Sequence, residues 1–223
     1  MDREQLMDEV RRQMPEKRWL HTVGVIRASV ELANRFGADP AKAELAAILH
    51  DLAKYWPVEE QVRVLRRASL PPGFAADDLL SYDAALLHAP VAAFVAETEY
   101  GVDDPEVLDA IRWHTTGRER MTLLDKVVCL ADYIEPGRDF PGVDRIRRLA
   151  ETDLEAALVA GFDSTISFLL QKGKKLFPLT VLARNGLLDE IGRRAGRAGD
   201  GDDSEDFGAA GDREDTDSPG GGG

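Results

Sequence analysis

The stretch ELAAILHDLAKYWP, residues 44–57, sets a histidine and an aspartate side by side near the end of an apolar, alanine-rich run. Its alanine, leucine and glutamate content favours an α-helix. The Tyr-Trp-Pro at residues 55–57 predicts that this helix ends soon after His50 and Asp51. A carboxylate in such a run is costly to bury unless it is paired or bound to a metal. The stretch therefore predicts a helix that presents a cation-binding pair near its C-terminal end.

Helix start and stop signals recur along the rest of the chain. Asp39-Pro40 places an N-cap residue before a proline suited to the first helical turn, and Thr152-x-x-Glu155 is typical of a capping box. No alternating β pattern with hairpin turns is present, so we predict an all-α helical bundle. The predicted helices lie near residues 3–13, 16–36, 40–53, 58–67, 77–80, 84–100, 105–114, 122–133, 143–150, 153–172 and 179–194.

The composition changes near residue 192. We predict one helical domain over residues 1–192 and a disordered, acidic, Gly- and Asp-rich tail over 193–223, which has too few apolar residues to fold. From Ala195 onward the chain carries nine acidic residues against Arg197 and Arg213, so about half of the net charge of −13 belongs to the tail. The remaining body is mildly acidic, which disfavours nucleic-acid binding. An anionic substrate would need a cation or a local basic cluster to offset the repulsion.

The sequence also predicts the cellular compartment of the protein. The N-terminal residues 1–19 are charged and lack the apolar stretch of a secretory signal, and no apolar run reaches the length of a membrane span. A single cysteine, Cys129, excludes an internal disulfide. These features predict a cytoplasmic protein with no membrane partner. A homodimer is left open, because no exposed apolar stripe can be identified securely.

The candidate chemistry lies in the four histidines, His21, His50, His88 and His114, together with Asp51 and a further acid in an apolar run, Asp132. Taken singly, each histidine is more often a surface or core residue than a ligand. The order H…HD…D spread over separate predicted helices is more specific, because helices of a bundle can each contribute one or two metal ligands from an inward face. Imidazole and carboxylate together suit iron, manganese, zinc and similar divalent ions.

The H…HD…D order is that of the HD superfamily of metal-dependent phosphohydrolases. Five longer strings make the likeness closer: KRWLHTVGVIRAS (17–29), ELAAILHDLAKYWP (44–57), LLHAPVAAF (86–94), AIRWHTTGRERMTLLDKVVCLADYIEPGRDFPGV (110–143) and LARNGLLD (182–189). With these strings the chain resembles the YqeK family, the bacterial symmetrical bis(5'-nucleosyl)-tetraphosphatases, over about residues 5–190. The block 113–143 is the most specific part, because its motifs are long and unusual.

The resemblance implies an HD-type fold and an iron-dependent enzyme, with manganese or another divalent cation as an alternative, that cleaves diadenosine tetraphosphate into two ADP by a metal-activated water. The metal ligands it implies are His21, His50, Asp51 and Asp132. Asp51, His88 and His114 would be catalytic, and the last two could hold a second metal or bind phosphate. The implied substrate-binding residues are His21, Gly24, His88, His114, Thr115, Thr116, Arg138, Lys174, Phe177 and Pro178.

One departure from the family pattern is visible in KKLFPLT, residues 174–180, where Phe177 stands in place of a family histidine and Pro178 remains. Lys54 could reach phosphate or be a solvated lysine at a helix end. Three other functions stay open: hydrolysis of another nucleotide such as a dNTP or a cyclic dinucleotide, a nucleotide-sensing module without turnover, and a scaffold whose acidic tail is the working part.

Overall fold

The computed structural model describes residues 2–199, with side chains described to residue 197. This part of the chain contains no strand, and the prediction of an all-α fold is confirmed. Its α-helices are α1 (Arg3–Arg12), α2 (Glu16–Phe36), α3 (Pro40–Leu49), α4 (Val58–Leu65), α5 (Ala76–Leu80), α6 (His88–Thr98), α7 (Pro105–Trp113), α8 (Leu123–Ile134), α9 (Val143–Leu149), α10 (Leu154–Gln171) and α11 (Pro178–Gly199), with a 3-10 helix at Ala84–Leu86.

Several helix starts follow the capping residues that the sequence shows. At α3, Asp39 Oδ1 accepts hydrogen bonds from the backbone N–H groups of the first turn, and Pro40 occupies the first helical position. The start of α10 differs from the prediction. Asp153 is the N-cap and accepts from the N–H of Ala156, so the predicted box at Thr152 is displaced by one residue. An aspartate is a stronger N-cap than a threonine, which accounts for the shift.

Helix α8 is the central element of the domain. It packs against α2, α3, α7, α9 and α10, and residues 124–131 are buried without interruption. Around it, α2 packs on α3, α3 packs on α7, and α6 packs on α7 and α4. A helix that is buried over eight consecutive residues lies inside the fold. The C-terminal end of α8 therefore carries Asp132 into the middle of the domain.

Three predicted boundaries differ from the structure. Helix α3 ends at Leu49, so His50 and Asp51 lie in the turn that follows it. The predicted helix 84–100 is divided into the 3-10 helix and α6, which begins at His88. Helix α11 continues to Gly199, into the segment 193–223 that was predicted as the tail. Arginine and alanine are good helix formers, and they extend this helix. Residues 200–223 lie outside the described residues.

Helix α10 is, within residues 2–199, the one helix long and apolar enough to cross a membrane. The core helix of a water-soluble fold meets the same criterion. Helix α10 packs against α8 and α9 and lines a cavity of the domain.

Phe177, one of the predicted substrate-binding residues, packs in an aromatic cluster. Its side chain is buried, and its ring centroid lies 5.8 Å from that of Phe74 and 5.1 Å from that of Tyr82. Phe74 in turn contacts the Trp113 ring at 4.7 Å. An aromatic ring in such a cluster contributes to stability through buried area and edge-to-face contacts.

We therefore expect Phe177→Ala to lower the free energy of unfolding by about 3–5 kcal/mol, because a large buried ring is lost and leaves a cavity. Phe168→Ala is the matched control, since Phe168 is 54% exposed and Phe177 only 6%. Urea unfolding of both variants measures the difference. A Phe177→Ala variant as stable as Phe168→Ala would contradict the core assignment.

Candidate active site

The four predicted metal ligands come together from two helices and the turn that follows a third. Helix α2 contributes His21, the turn after α3 contributes His50 and Asp51, and α8 contributes Asp132. His21 Nε2 lies 3.0 Å from Asp132 Oδ1 and 3.6 Å from Asp51 Oδ2, and His50 Nε2 lies 3.3 Å from Asp51 Oδ2. Neighbouring residues inside an α-helix point about 100° apart. His50 and Asp51 lie at the C-terminal end of α3, and both side chains reach the same centre.

His88 and His114 complete a ring of imidazoles around Asp51. His88 Nε2 lies 3.3 Å from Asp51 Oδ1 and 3.1 Å from His114 Nε2, while His114 Nε2 lies 4.0 Å from Asp51 Oδ1. All three residues are buried. Burial would by itself raise the pKa of Asp51, but the adjacent His50 and His88 hold that pKa well below its usual value. The side chain of Asp51 is therefore ionised.

Hydrogen bonds at Nδ1 fix the tautomer of all four histidines. The acceptors are Glu135 Oε1 for His21 (3.0 Å), Ala47 O for His50 (2.6 Å), Ala85 O for His88 (2.6 Å) and Ile111 O for His114 (2.8 Å). A carbonyl or carboxylate oxygen only accepts, so Nδ1 carries the proton and Nε2 of a neutral ring keeps its lone pair. Burial lowers the pKa of His88, and it lowers that of His114 to about 3. The Nε2 atoms of all four rings converge on one region.

The residues present fit a divalent cation. The Nε2 atoms of His21 and His50 are buried and have no hydrogen-bond partner among the described residues, although both face carboxylates. Leaving buried polar atoms unpaired is costly, and a cation between imidazole and carboxylate removes that cost. Two overlapping sets of ligand atoms lie within 4.8 Å of one another, one formed by His21, His50 and Asp132 and the other by His50, Asp51 and His114.

Three cationic side chains border this cluster. Arg18 Nη1 donates to Asp51 Oδ2 at 2.8 Å, and Arg138 donates through Nε to the backbone oxygen of Asp132 at 2.7 Å and through Nη2 to its carboxylate. Lys54 Nζ lies 3.3 Å from His88 Nε2, so it faces the cluster instead of solvent. Burial lowers the pKa of Lys54. Guanidinium and ammonium groups here can bind phosphate oxygens.

Glu135 is a site residue that the sequence analysis missed. It is buried, its Oε1 accepts from His21 Nδ1, and its Oε2 accepts from the N–H of Gly137 at 2.6 Å. A Cβ atom at Gly24 would lie 2.5 Å from Glu135 Oε2. Gly24, predicted as a substrate contact, therefore also leaves the space in which this carboxylate fits. A carboxylate on Nδ1 orients a metal-binding histidine.

Two cavities open onto the cluster. The first, the polar cavity, has a volume of about 740 Å³ and extends from His114, Thr115 and Asp132 to Phe168. The second, the basic cavity, has a volume of about 630 Å³ and is lined by His21 and Gly24 together with Lys17, Arg18 and Arg27. Arg138 lines both cavities.

The remaining predicted substrate-binding residues are Thr115, Thr116, Lys174, Phe177 and Pro178. Thr115 lies at the cluster, with Oγ1 at 3.2 Å from His88 Nε2 and 3.0 Å from His114 Nε2. The Thr116 hydroxyl is buried and donates to the backbone oxygen of Gly117. Lys174 Nζ pairs with Asp83 at 2.9 Å. Neither of the two cavities described above is lined by Lys174, Phe177 or Pro178.

Comparison with known proteins identifies a matching family and several relatives. The profile of the HD domain matches residues 18–137. A protein of Bacillus subtilis (strain 168) named "Bis(5'-nucleosyl)-tetraphosphatase, symmetrical" is 50% identical over 84% of this chain and 98% of its own length. A protein of the same name from Staphylococcus aureus is 41% identical over 75% of this chain and 85% of its own length.

A solved structure from Clostridium acetobutylicum agrees with the fold. It is described as a predicted HD superfamily hydrolase involved in NAD metabolism. It matches this chain with a TM-score of 0.78 and 38% identity, and the match covers 85% of this chain and 98% of that one.

Glu135→Ala should weaken divalent-metal binding by about 10- to 100-fold, because His21 loses the partner that orients its ring. Gly24→Ala should act in the same direction, since its methyl group would displace Glu135. Titration of metal-free protein with Mn²⁺ measures both variants, and Glu31→Ala, a change at an exposed residue of α2, is the control. Wild-type affinity in a correctly folded Glu135→Ala variant would remove Glu135 from this role.

Proposed function

We propose, because the chain belongs to the HD domain family and within it to the symmetrical bis(5'-nucleosyl)-tetraphosphatases, that it hydrolyses diadenosine tetraphosphate to two ADP with a bound divalent metal ion. The observation that carries this proposal is the convergence of four imidazole Nε2 atoms, the buried carboxylate of Asp51 and the half-buried carboxylate of Asp132, bordered by arginines and two cavities. Such a site combines ligands for a cation with donors for an anionic substrate.

His21, His50, Asp51 and Asp132 would hold the metal, which we propose to be iron, with manganese or another divalent cation as a substitute. The nitrogen and oxygen donor set supports this choice. When bound, a cation of this kind lowers the pKa of a coordinated water and polarises a phosphoryl oxygen. In the overall reaction, water adds to one central phosphorus and the central P–O bond breaks. The oxygen of the water ends on one ADP and the bridging oxygen on the other.

The chain's own residues bind and position the phosphates. Arg138 and Lys54 can donate to phosphate oxygens beside the cluster, and the Thr115 hydroxyl can do the same. The Nε2 atoms of His88 and His114 carry lone pairs in the neutral rings, so they can accept a proton at that atom. Phosphoryl transfer depends mainly on this positioning and on charge stabilisation.

We also propose a cytoplasmic location. Cys129 is a buried free thiol, and unpaired cysteines are typical of reducing compartments.

The first experiment identifies substrate and products. Metal-loaded protein should convert diadenosine tetraphosphate into ADP alone, and a chelator should abolish the reaction. Deoxynucleoside triphosphates and cyclic dinucleotides serve as competing substrates. Formation of ATP plus AMP, or no turnover with iron, manganese or zinc, would contradict the proposal.

The second experiment concerns the ligands. His50→Ala and Asp51→Ala should each lower bound metal and activity together by at least about 100-fold, since loss of a ligand costs more than loss of its supporting partner. Elemental analysis and product formation are measured on the same samples. Asp8→Ala, at an exposed residue of α1, is the control for loss of an acidic side chain. Full metal content in Asp51→Ala would exclude Asp51 as a ligand.

A further inference from the structure

The polar and basic cavities meet at the cluster from two sides. His21 lines the basic cavity and Asp132 lines the polar cavity, and these two side chains approach to 3.0 Å between Nε2 and Oδ1. Arg138 belongs to the lining of both cavities. The candidate metal ligands therefore lie where the two cavities adjoin.

A dinucleoside tetraphosphate cut at its centre has two ADP halves that extend away from the bond that breaks. Each half needs a place for its nucleoside and its phosphates. Ligand pockets for small molecules measure about 300–1,000 Å³, and the two cavities, of about 740 Å³ and 630 Å³, each fall in that range. A cluster between two such cavities suits cleavage at the middle of a two-sided substrate.

The basic cavity has the charge that a diphosphate requires. Its lining includes the cations Lys17, Arg18, Arg27 and Arg138 and a single carboxylate, that of Glu135. Both oxygens of that carboxylate already accept hydrogen bonds within the protein. A concave surface lined by one sign of charge attracts ligands of the opposite sign.

The same cavity also offers apolar surface for a nucleoside. Tyr55 and Leu20 line it, and they are 54% and 63% exposed. The guanidinium of Arg18 lies 5.9 Å from the Tyr55 ring centroid, which joins the phosphate-binding and apolar parts of the cavity. Aromatic rings bind nucleobases by stacking, whatever the base.

The polar cavity differs in character. It contains Phe168 on α10 with the hydroxyl and amide side chains of Ser164, Thr165 and Gln171, and Arg145 from α9. The aromatic ring, the neutral polar groups and the cations Arg138 and Arg145 suit an ADP half. Of the two carboxylates in the lining, that of Asp132 belongs to the cluster and that of Asp163 pairs with Arg184. The two cavities thus provide unlike surfaces for two chemically identical halves.

We infer that the basic cavity is a second nucleotide site, which binds one ADP half of the substrate while the polar cavity binds the other. This inference rests on the proposed function. It assigns a binding role to Lys17, Leu20, Arg27 and Tyr55. The symmetrical cut then follows from the position of the metal ligands between the two halves.

The test uses ADP itself and two charge reversals at exposed arginines, one in each cavity. Equilibrium dialysis of metal-loaded wild-type protein should give two ADP per chain. Arg27→Glu in the basic cavity and Arg145→Glu in the polar cavity should each reduce this to one. Arg63→Glu, at an exposed arginine of α4 that lines neither cavity, should retain two and controls for the change in net charge.

Kinetics provide the second readout. Arg27→Glu and Arg145→Glu should each raise the KM for diadenosine tetraphosphate about tenfold at unchanged metal content, because each removes charge-assisted contacts to one half. A single ADP per wild-type chain, or a KM for Arg27→Glu within twofold of the Arg63→Glu control, would overturn the second site. Absence of tetraphosphate hydrolysis in the wild type would instead overturn the proposed function. The number of ADP molecules bound per chain would still test whether the basic cavity is a nucleotide site.

Discussion

The carboxylate of Asp51 is only 3% exposed, and an ionised group at that depth is costly unless cations and hydrogen-bond donors surround it. His50 and His88 hold the pKa of Asp51 low, and Arg18 donates a hydrogen bond to its carboxylate. These partners come from α2, α6 and the turn after α3, so the carboxylate is stabilised only when the helices are packed. The packed core and the charged centre therefore depend on each other.

Orientation of the imidazoles follows from where each histidine lies on its helix. His50, His88 and His114 lie at helix ends, and each donates Nδ1–H to the carbonyl three residues earlier. His21 lies inside α2, where the backbone carbonyls already accept the hydrogen bonds of the helix. Its Nδ1 uses Glu135 instead, and Gly24 gives that carboxylate room. Backbone carbonyls thus orient three of the rings, and a carboxylate orients the fourth, toward one centre.

The sequence predicted the helices because capping residues and apolar periodicity leave marks along the chain. Acids placed in apolar runs indicated a cation site, and the family resemblance implied its four ligands. Arg18 and Glu135 leave no such mark. Each lies three residues from a predicted ligand, Arg18 before His21 and Glu135 after Asp132, but a charged residue at that spacing also fits a solvated helix face. Only the packing of α2 against α8 shows that they face inward. The aromatic packing of Phe177 leaves no mark along the chain either, since its ring partners are distant in sequence.

The central claim is that one divalent cation is held by His21, His50, Asp51 and Asp132. Anomalous diffraction from crystals of the protein loaded with manganese or iron, collected above and below the metal absorption edge, locates the ion without reference to activity. The account predicts a peak at coordination distance from Nε2 of both histidines and from both carboxylates. A fully loaded protein whose anomalous peak lies away from these four side chains would contradict it.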